Sequence, residues 1–247
     1  MSPEQKPKPA NLATSRLILA AVILISFIVV IGVAEYLVRK PLLQNLASFF
    51  CGTSTVSDID NNIYNTVQIG EQCWLKENLK VTKNPAGKSI TRYCYNNDPK
   101  ICETDGGLYD WNTAMNKSVT DGAQGICPNG WHVPKDSEWY VLENGLKDNG
   151  ETCLKDRNGP GGCATAGIKL GLSGSSGFEG IGCGERSSAG FFYGRNMSNN
   201  YWTSADEYID DRSNAWSRYI FLGDAGGNIS RTLISKANGF SLRCLKD

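Results

Sequence analysis

The feature that most constrains this chain is an uncharged, apolar run near its N-terminus. Residues 17–34 are eighteen consecutive uncharged residues, mostly Leu, Ile, Val and Ala, interrupted only by Ser26 and Gly32. At about 1.5 Å per residue, a helix of this length reaches roughly 27 Å, close to the thickness of a bilayer's hydrocarbon core. The run therefore predicts a single transmembrane helix over residues 17–38.

Cysteine content predicts which side of the membrane the rest of the chain occupies. Nine cysteines in 247 residues are typical of an oxidising compartment, and no pair has the CxxC spacing of a zinc ribbon. An odd number leaves at least one thiol unpaired, lipidated or bonded to another chain, and Cys51, close to the membrane, is the candidate. Basic residues lie on both sides of the apolar run and only mildly favour a cytoplasmic N-terminus: Lys6, Lys8, Arg16, Arg39 and Lys40.

These signals predict a single-pass membrane protein in four parts. We expect a cytoplasmic tail over residues 1–16, the transmembrane helix over 17–38, a juxtamembrane linker over 39–55 and an extracytoplasmic domain over 56–247. The alternative is a cleaved secretory signal, for which Gly32 and Ala34 supply the small residues before the cut.

Charge distribution argues against nucleic acid as a partner. Beyond residue 50 the chain carries 20 basic and 23 acidic residues, a net charge of about −3, with no basic stripe. Phosphate binding needs clustered Lys and Arg side chains. We therefore expect no nucleic-acid binding.

The large part of the chain is typical of an α+β domain with few helices. Short apolar stretches separated by Asn, Asp and Gly predict strands near residues 56–69, and others are expected around Tyr201, Ile220 and Leu242. The glycine-rich stretch 148–190 is expected to form long loops. Two helices are predicted: one after Pro134, capped by Asp136 or Ser137, with Trp139, Leu142 and Leu146 on one face, and a short one containing Trp111, Ala114 and Met115.

Six phrases recur in the order known from one bacterial family: IGEQCWLKENL (69–79), YCYNNDP (93–99), GGLYDW (106–111), CPNGWHVPKDSEW (127–139), YWTSADEY (201–208) and GFSLRCLKD (239–247). Together they resemble the Fibrobacter succinogenes major paralogous domain, a family of bacterial surface or secreted modules. The phrases GWHVPKDSEW and GFSLRC are also similar to formylglycine-generating enzymes and other C-type-lectin-like modules. This resemblance implies a loop-rich, disulfide-stabilised α+β fold, with N- and C-terminal strands side by side and central loops forming a ligand surface.

With this resemblance in place, four disulfides are expected. The lectin-like fold brings together the two motifs that contain Cys127 and Cys244. The other pairs are Cys94–Cys102 across a short turn, Cys153–Cys163 around the glycine-rich stretch, and Cys73–Cys183 by elimination.

The resemblance does not extend to the catalytic residues of formylglycine-generating enzymes. Those enzymes use a cysteine pair shortly before their GFR motif, and residues 228–238 contain no cysteine. His132 is the only histidine, lies beside a core tryptophan in GWHVP, and is expected to be structural. We therefore expect no enzymatic activity.

Ligand-binding candidates lie in the C-terminal third. Tyr193 and Tyr208 are loop aromatics that could stack on a sugar ring, whereas Trp202 and Trp216 are expected in the core. Four carboxylates follow Trp202, and they are either a solvated loop, a polar-ligand site or a calcium site: Asp206, Glu207, Asp210 and Asp211.

Three functions remain open from the sequence. The preferred one is a non-enzymatic surface module that binds an extracellular ligand, such as a polysaccharide or another envelope component. The others are a structural subunit that contacts partner proteins of the cell envelope, and an uncharacterised enzyme on a formylglycine-generating-enzyme-like scaffold. An aromatic binding patch favours the first, a large apolar patch the second, and a pocket of carboxylates the third.

Overall fold

A computed structural model describes residues 23–37, 49–160, 163–207, 213–222 and 227–247 of the chain. The chain divides into two compact units, Met1–Phe49 and Phe50–Asp247. In the first unit, residues 23–37 form a helix, α1, with exposed apolar side chains. No helix among the described residues is both long and apolar enough to span a membrane. The predicted tail, residues 17–22 and 38 of the predicted span, and residues 39–48 of the predicted linker lie outside the described residues.

The second unit is a mixed α+β domain. A single 3-10 turn, Tyr95–Asn97, precedes its first helix. Its helices are α2 (Pro99–Asp105), α3 (Trp111–Ala114), α4 (Asp136–Leu146) and α5 (Ala164–Leu170). Its strands are β1 (Val56–Ser57), β2 (Ile63–Tyr64), β3 (Thr66–Ile69), β4 (Gln72–Leu75), β5 (Trp131–His132), β6 (Gly159–Pro160), β7 (Cys183–Arg186), β8 (Phe192–Arg195), β9 (Ser198–Asp206), β10 (Asn214–Phe221), β11 (Asn228–Ser235) and β12 (Leu245–Lys246).

These strands form three sheets. The largest has the order β6-β11-β10-β9-β7-β8, antiparallel except where β7 runs parallel to β9, and the smallest is the β1–β2 hairpin. The third has the order β3-β4-β12-β5, with Leu245 of β12 paired to Trp74 of β4 and to His132 of β5. The C-terminal strand β12 therefore lies between β5 and β4, the second strand of the β3–β4 hairpin.

Helix α5 corrects the prediction that residues 148–190 form loops alone. Ala166 and Leu170 lie on its buried face, so the segment has the spacing of a short amphipathic helix. Its glycine has a packing role, because a Cβ on Gly167 would lie 2.9 Å from the backbone carbon of Gly227. Sequence reasoning treated the glycine as a sign of loop structure, whereas here it permits close approach of two backbones.

Helix α4 starts where predicted, but its cap differs. Its N-cap is Lys135, not Asp136 or Ser137, and the Lys135 N–H donates to the carboxylate of Glu138 at 2.7 Å. Glu138 therefore satisfies a backbone donor at the helix start, as in a capping box. The Asp136 carboxylate instead pairs with Arg218 and Arg231 of the largest sheet.

Asp136 belongs to a buried ionic cluster that fixes α4 on the largest sheet. Glu143 accepts from Arg218 Nε at 2.5 Å and from Arg157 Nη2 at 2.5 Å, and Asp136 accepts from Arg218 Nη1 at 2.6 Å and Arg231 Nε at 2.9 Å. The side chains of Glu143 and Arg218 are 0% exposed. Burial raises the pKa of Asp136, but Arg218 and Arg231 lower it by more. We call these five side chains the Glu143 network.

Aromatic side chains fill the space between α4 and the sheets. The Trp139 ring lies 4.9 Å from that of Trp74 and 5.3 Å from that of Tyr201, and Phe178 packs edge-on against the group. The guanidinium of Arg243 stacks 4.2 Å over Phe178, and two of its nitrogens donate to Asn78. Tilted and edge-on arrangements are the preferred ones for aromatic pairs. Trp139 is therefore a packing residue, as the helical spacing predicted.

Four disulfides link the domain, and one differs from the expected set. The bonds are Cys51–Cys73, Cys94–Cys102, Cys127–Cys244 and Cys153–Cys163. The predictions of a Cys73–Cys183 bond and of an unpaired Cys51 are therefore wrong. Cys183 is the free thiol, and it is buried.

Local hydrogen bonds explain the corrected pairing. The Thr66 hydroxyl on β3 accepts from the Gly52 N–H at 2.9 Å and donates to the Ser54 carbonyl at 2.7 Å, which brings Cys51 beside β4. The thiol of Cys183 is instead directed at the carbonyl of Asp105, 2.9 Å away. Elimination could not detect these contacts, because they join segments that are not neighbours in the sequence.

Replacing Glu143 by Gln is expected to lower the free energy of unfolding by about 3–5 kcal/mol, because Arg157 would keep a buried charge without its carboxylate partner and Arg218 would lose one of its two carboxylates. The matched control, Asn144→Ala, changes an exposed residue of the same helix and should shift it by less than about 0.5 kcal/mol. Urea unfolding of both variants measures this difference. Equal stabilities for E143Q and the native chain would contradict a stabilising role for the network.

Candidate functional site

A polar cleft opens where β7, β11 and the segment before α3 meet. Its volume is about 540 Å³, within the ~300–1,000 Å³ typical of small-molecule sites. We call it the Arg186 cleft, and its lining includes Tyr93, Asp110, Asn112, Arg186, Ser188, Ser235 and Lys236. Hydroxyl, carboxamide, ammonium and guanidinium groups therefore converge on one open space.

Backbone hydrogen bonds hold the two walls of this cleft together. Arg186 and Gly239 exchange two bonds of 2.9 and 2.7 Å, and the Trp111 N–H donates to the Lys236 carbonyl at 2.9 Å. Gly239 permits this approach, because a Cβ there would lie 3.1 Å from the Cβ of Arg186 and 3.4 Å from the Tyr93 ring. The wall positions thus follow from strand-like pairing of segments distant in sequence.

Both cations of the cleft lie over aromatic rings. The Arg186 guanidinium is 4.1 Å from the centroid of the Tyr93 ring, and the Lys236 ammonium is 4.1 Å from that of Trp111. Lys236 also forms an ion pair of 2.9 Å with Asp206. Stacking and pairing restrict these side chains, so their charges are held in place before any ligand binds.

Residues 67–246 match the model of the family described as the Fibrobacter succinogenes major domain. The chain belongs to this family. Comparisons with curated proteins and with solved structures gave no match. The family prediction is therefore confirmed, and the C-type-lectin-like architecture stays a prediction.

Only some of the predicted ligand residues of this family domain can be placed. Asp206 borders the Arg186 cleft through its ion pair with Lys236. Tyr193 lies on β8, not in a loop as predicted, and although it is 53% exposed it is not part of the cleft lining. Tyr208, Asp210 and Asp211 lie outside the described residues.

The calcium prediction for residues 206–211 stays untested. No group of three or more His, Cys, Asp or Glu residues in the described ranges is arranged to hold a metal ion. One carboxylate oxygen of Asp206 is bonded to Lys236, and two of the predicted calcium ligands are outside those ranges. Asp206 is therefore the partner of a residue that lines the Arg186 cleft.

Sequence reasoning missed the residues that contribute most to the cleft. Arg186, Ser188, Ser235 and Lys236 come from chain segments about 50 residues apart and share no motif. The one available signal was the position of Lys236 just before GFSLRC, a phrase already recognised as part of the family pattern.

A larger cavity of about 690 Å³ lies between α5 and the start of β7, and its lining differs in chemistry. Its lining includes the exposed side chains of Ile168 and Leu172, together with Leu222. Its carboxylate, Asp105, forms an ion pair of 2.7 Å with Arg195. Few of its polar groups are left to orient a ligand. We therefore treat the Arg186 cleft as the better candidate for a polar ligand.

The free thiol and the histidine of the domain are not among the residues that line the cleft. Burial raises the pKa of the Cys183 thiol to about 12, so the thiol stays protonated at neutral pH. His132 is bonded through Nδ1 to Asp247 at 2.7 Å and through Nε2 to Glu138 at 3.0 Å. Both its ring nitrogens are thus occupied, in agreement with a structural role.

The environment of His132 shifts the pKa of two groups. Burial lowers the pKa of His132, but hydrogen bonds to Glu138 and Asp247 raise it by more, so the net shift is above the ordinary 6.5. Burial raises the pKa of Glu138, but the bond to His132 and the Lys135 N–H hold it below 4.5. The charged pair therefore stabilises the fold most between about pH 4.5 and 6.5.

Replacing His132 by Gln is expected to destabilise the domain most between pH 4.5 and 6.5. The contribution of His132 is complete below its unfolded pKa of 6.5 and is lost as pH rises through its higher folded pKa. That of Glu138 is complete above 4.5 and is lost as pH falls through its lower folded pKa. Thermal melts from pH 4 to 9 measure the cost, with exposed Lys155→Gln as control. A cost of H132Q that grows from pH 6 to 9 would contradict this assignment.

Proposed function

We propose that this protein is a membrane-anchored, non-enzymatic surface module whose domain binds a polysaccharide or another envelope component in the Arg186 cleft. The observation that carries the proposal is the cleft itself, an open space of about 540 Å³ lined by hydroxyl, carboxamide and cationic groups over two aromatic rings. Such a lining matches the hydrogen-bonding demand of a polyhydroxylated ligand.

Extracytoplasmic placement is supported by the disulfides. Four bonds join eight cysteines of the described domain, and structural disulfides persist in oxidising compartments. The uncharged run 17–34 is long enough to anchor the chain. The proposed topology therefore has a cytoplasmic N-terminus and the domain on the opposite side.

A binding role rather than catalysis is supported by where the reactive groups lie. His132 is bonded to two carboxylates, and Cys183 is buried with its pKa raised to about 12. The cleft carboxylate, Asp110, accepts from the N–H and the hydroxyl of Thr113 at the start of α3. The cleft carboxylate is therefore engaged in capping α3.

A C-type-lectin-like architecture is part of the proposal. Its support is the pairing of the C-terminal strand β12 with β4 of the early β3–β4 hairpin, and the Cys127–Cys244 bond between the two shared motifs.

A second candidate, an assembly subunit, is favoured by the 690 Å³ cavity. Exposed Leu172 and Ile168 at this cavity could contact the apolar side chains of a partner protein. The cleft remains the preferred site, because its polar groups are the more specific feature.

Membrane anchoring is expected to retain the uncleaved chain. After alkaline carbonate washing, the full-length protein should stay in the membrane pellet, and peptides containing Lys6 or Lys8 should be recovered from it. Ile28→Arg places a charge within the run, costs about 2.5–3.5 kcal/mol of insertion and should reduce retention, whereas Ile59→Arg in the domain should not. Recovery of a soluble form that lacks both lysines would show a cleaved signal instead.

Blocking the cleft is expected to abolish ligand capture. The detergent-solubilised full-length chain, immobilised and exposed to polysaccharide and envelope fractions, should retain one of them. Ser188→Trp fills the cleft from an exposed position and should lose most of that retention, whereas Ser175→Trp, an equivalent change outside it, should keep it. Full retention by S188W would remove the cleft as the binding site, and no retention by the native chain would contradict the proposed function.

A further inference from the structure

The charges at the Arg186 cleft are unequally paired. Lys236 is bonded to Asp206 at 2.9 Å, and the Asp110 carboxylate caps α3 through bonds of 2.9 and 2.8 Å to Thr113. Arg186 has no carboxylate within 4.0 Å among the described residues. Of the described charges in the cleft, that of Arg186 is therefore the one without an opposite partner.

Most of the donors of Arg186 are also unused. A guanidinium carries five N–H donors. The side-chain hydrogen bond found within the described residues is a long one, 3.4 Å from Nη1 to the Ser187 carbonyl. Stacking over Tyr93 at 4.1 Å restricts the guanidinium, and Gly190 leaves room for it, since a Cβ there would lie 3.2 Å from Nη2. A half-buried guanidinium that stacks on a ring and has most of its donors unused within the described residues is suited to a planar, two-oxygen anion.

Neutral hydrogen-bonding groups surround this cation. Ser188 lies two residues from Arg186, and its N–H is bonded to Asn238 at 2.7 Å, which fixes that edge of the cleft. Ser235 and Asn112 contribute a hydroxyl and a carboxamide from the facing wall. An anion bound at Arg186 would therefore lie among groups that can bond to hydroxyls on the same ligand.

We infer that the cleft binds an acidic glycan, with Arg186 holding the anionic group of a sugar ring and the serine and asparagine side chains bonding its hydroxyls. This inference rests on the proposed function and specifies its ligand class. A uronate carboxylate and a sulfate ester share the chemistry that Arg186 would recognise. The geometry makes the anion the group that sets specificity, because a neutral glycan leaves the Arg186 charge unpaired.

The test compares matched ligands on the full-length chain in detergent micelles. Isothermal titration calorimetry is run with tetragalacturonate, its fully methyl-esterified form and a sulfated galactan tetrasaccharide. The ester keeps the ring hydroxyls and removes the charge, so it should bind at least about tenfold more weakly than the acid, whereas the sulfated sugar should bind within about tenfold of it. The comparison on the native chain does not depend on how well any variant folds.

Variants identify the residue responsible. Arg186→Gln should reduce affinity for tetragalacturonate at least about tenfold and leave binding of the ester unchanged, and Arg186→Lys should restore part of the loss. Lys155→Gln removes one positive charge from an exposed site outside the cleft and should leave both affinities unchanged.

Three outcomes would overturn the inference. Equal binding of acid and ester, blocked by S188W, would preserve the glycan-binding function and reject anionic specificity. Loss of acid binding in K155Q as large as in R186Q would show a general charge effect. Absence of binding to all three sugars, while the cleft still retains an envelope fraction, would reject acidic glycans as the ligand class and leave the proposed function standing.

Discussion

The domain depends on one segment, residues 236–245, whose backbone hydrogen-bonds to several separate parts of the chain. In the middle of the segment, Gly239 pairs with Arg186 of β7 and Phe240 pairs with Tyr109, each through two reciprocal bonds. On one side of them, the Lys236 backbone bonds to Trp111. On the other side, Ser241 bonds to Asn200 and Trp202, Leu242 to Leu79, and Cys244 to Leu75. Because the segment also carries Cys244, its covalent link to Cys127 limits how far these parts can separate. Fold and cleft are therefore set by the same contacts.

Charges stabilise this arrangement in two different ways. In the Glu143 network, three guanidinium groups and two carboxylates lie between α4 and the largest sheet, where removal of one partner leaves a buried charge. At the cleft, Arg186 is restricted by an aromatic ring and has no such partner among the described residues. The contrast distinguishes a structural charge, which is fully paired, from one available to a ligand.

Sequence reasoning recovered what local patterns encode. The helix after Pro134 and the strands around Tyr201 and Ile220 were predicted from residue spacing, and the structure contains them. The six sequence phrases predicted the family, which the match over residues 67–246 confirms. It missed what depends on distant segments, as with the Cys51–Cys73 bond, which follows from the contacts of Thr66. Helix α5 was missed because Gly167 serves packing there. The cleft was missed because its walls come together only when residues 236–240 pair with β7 and the segment before α3.

The central claim is that residues 236–245 hold the Arg186 cleft in a preformed shape. This segment separates from its backbone partners only when the whole domain unfolds. Hydrogen exchange of the Arg186, Gly239 and Phe240 amides tests it most directly, since each donates to a partner across the cleft-forming segments. The account predicts exchange free energies equal to that of global unfolding, with the same dependence on denaturant. Exchange of these amides by local opening, at a much lower free energy and nearly independent of denaturant, would contradict it.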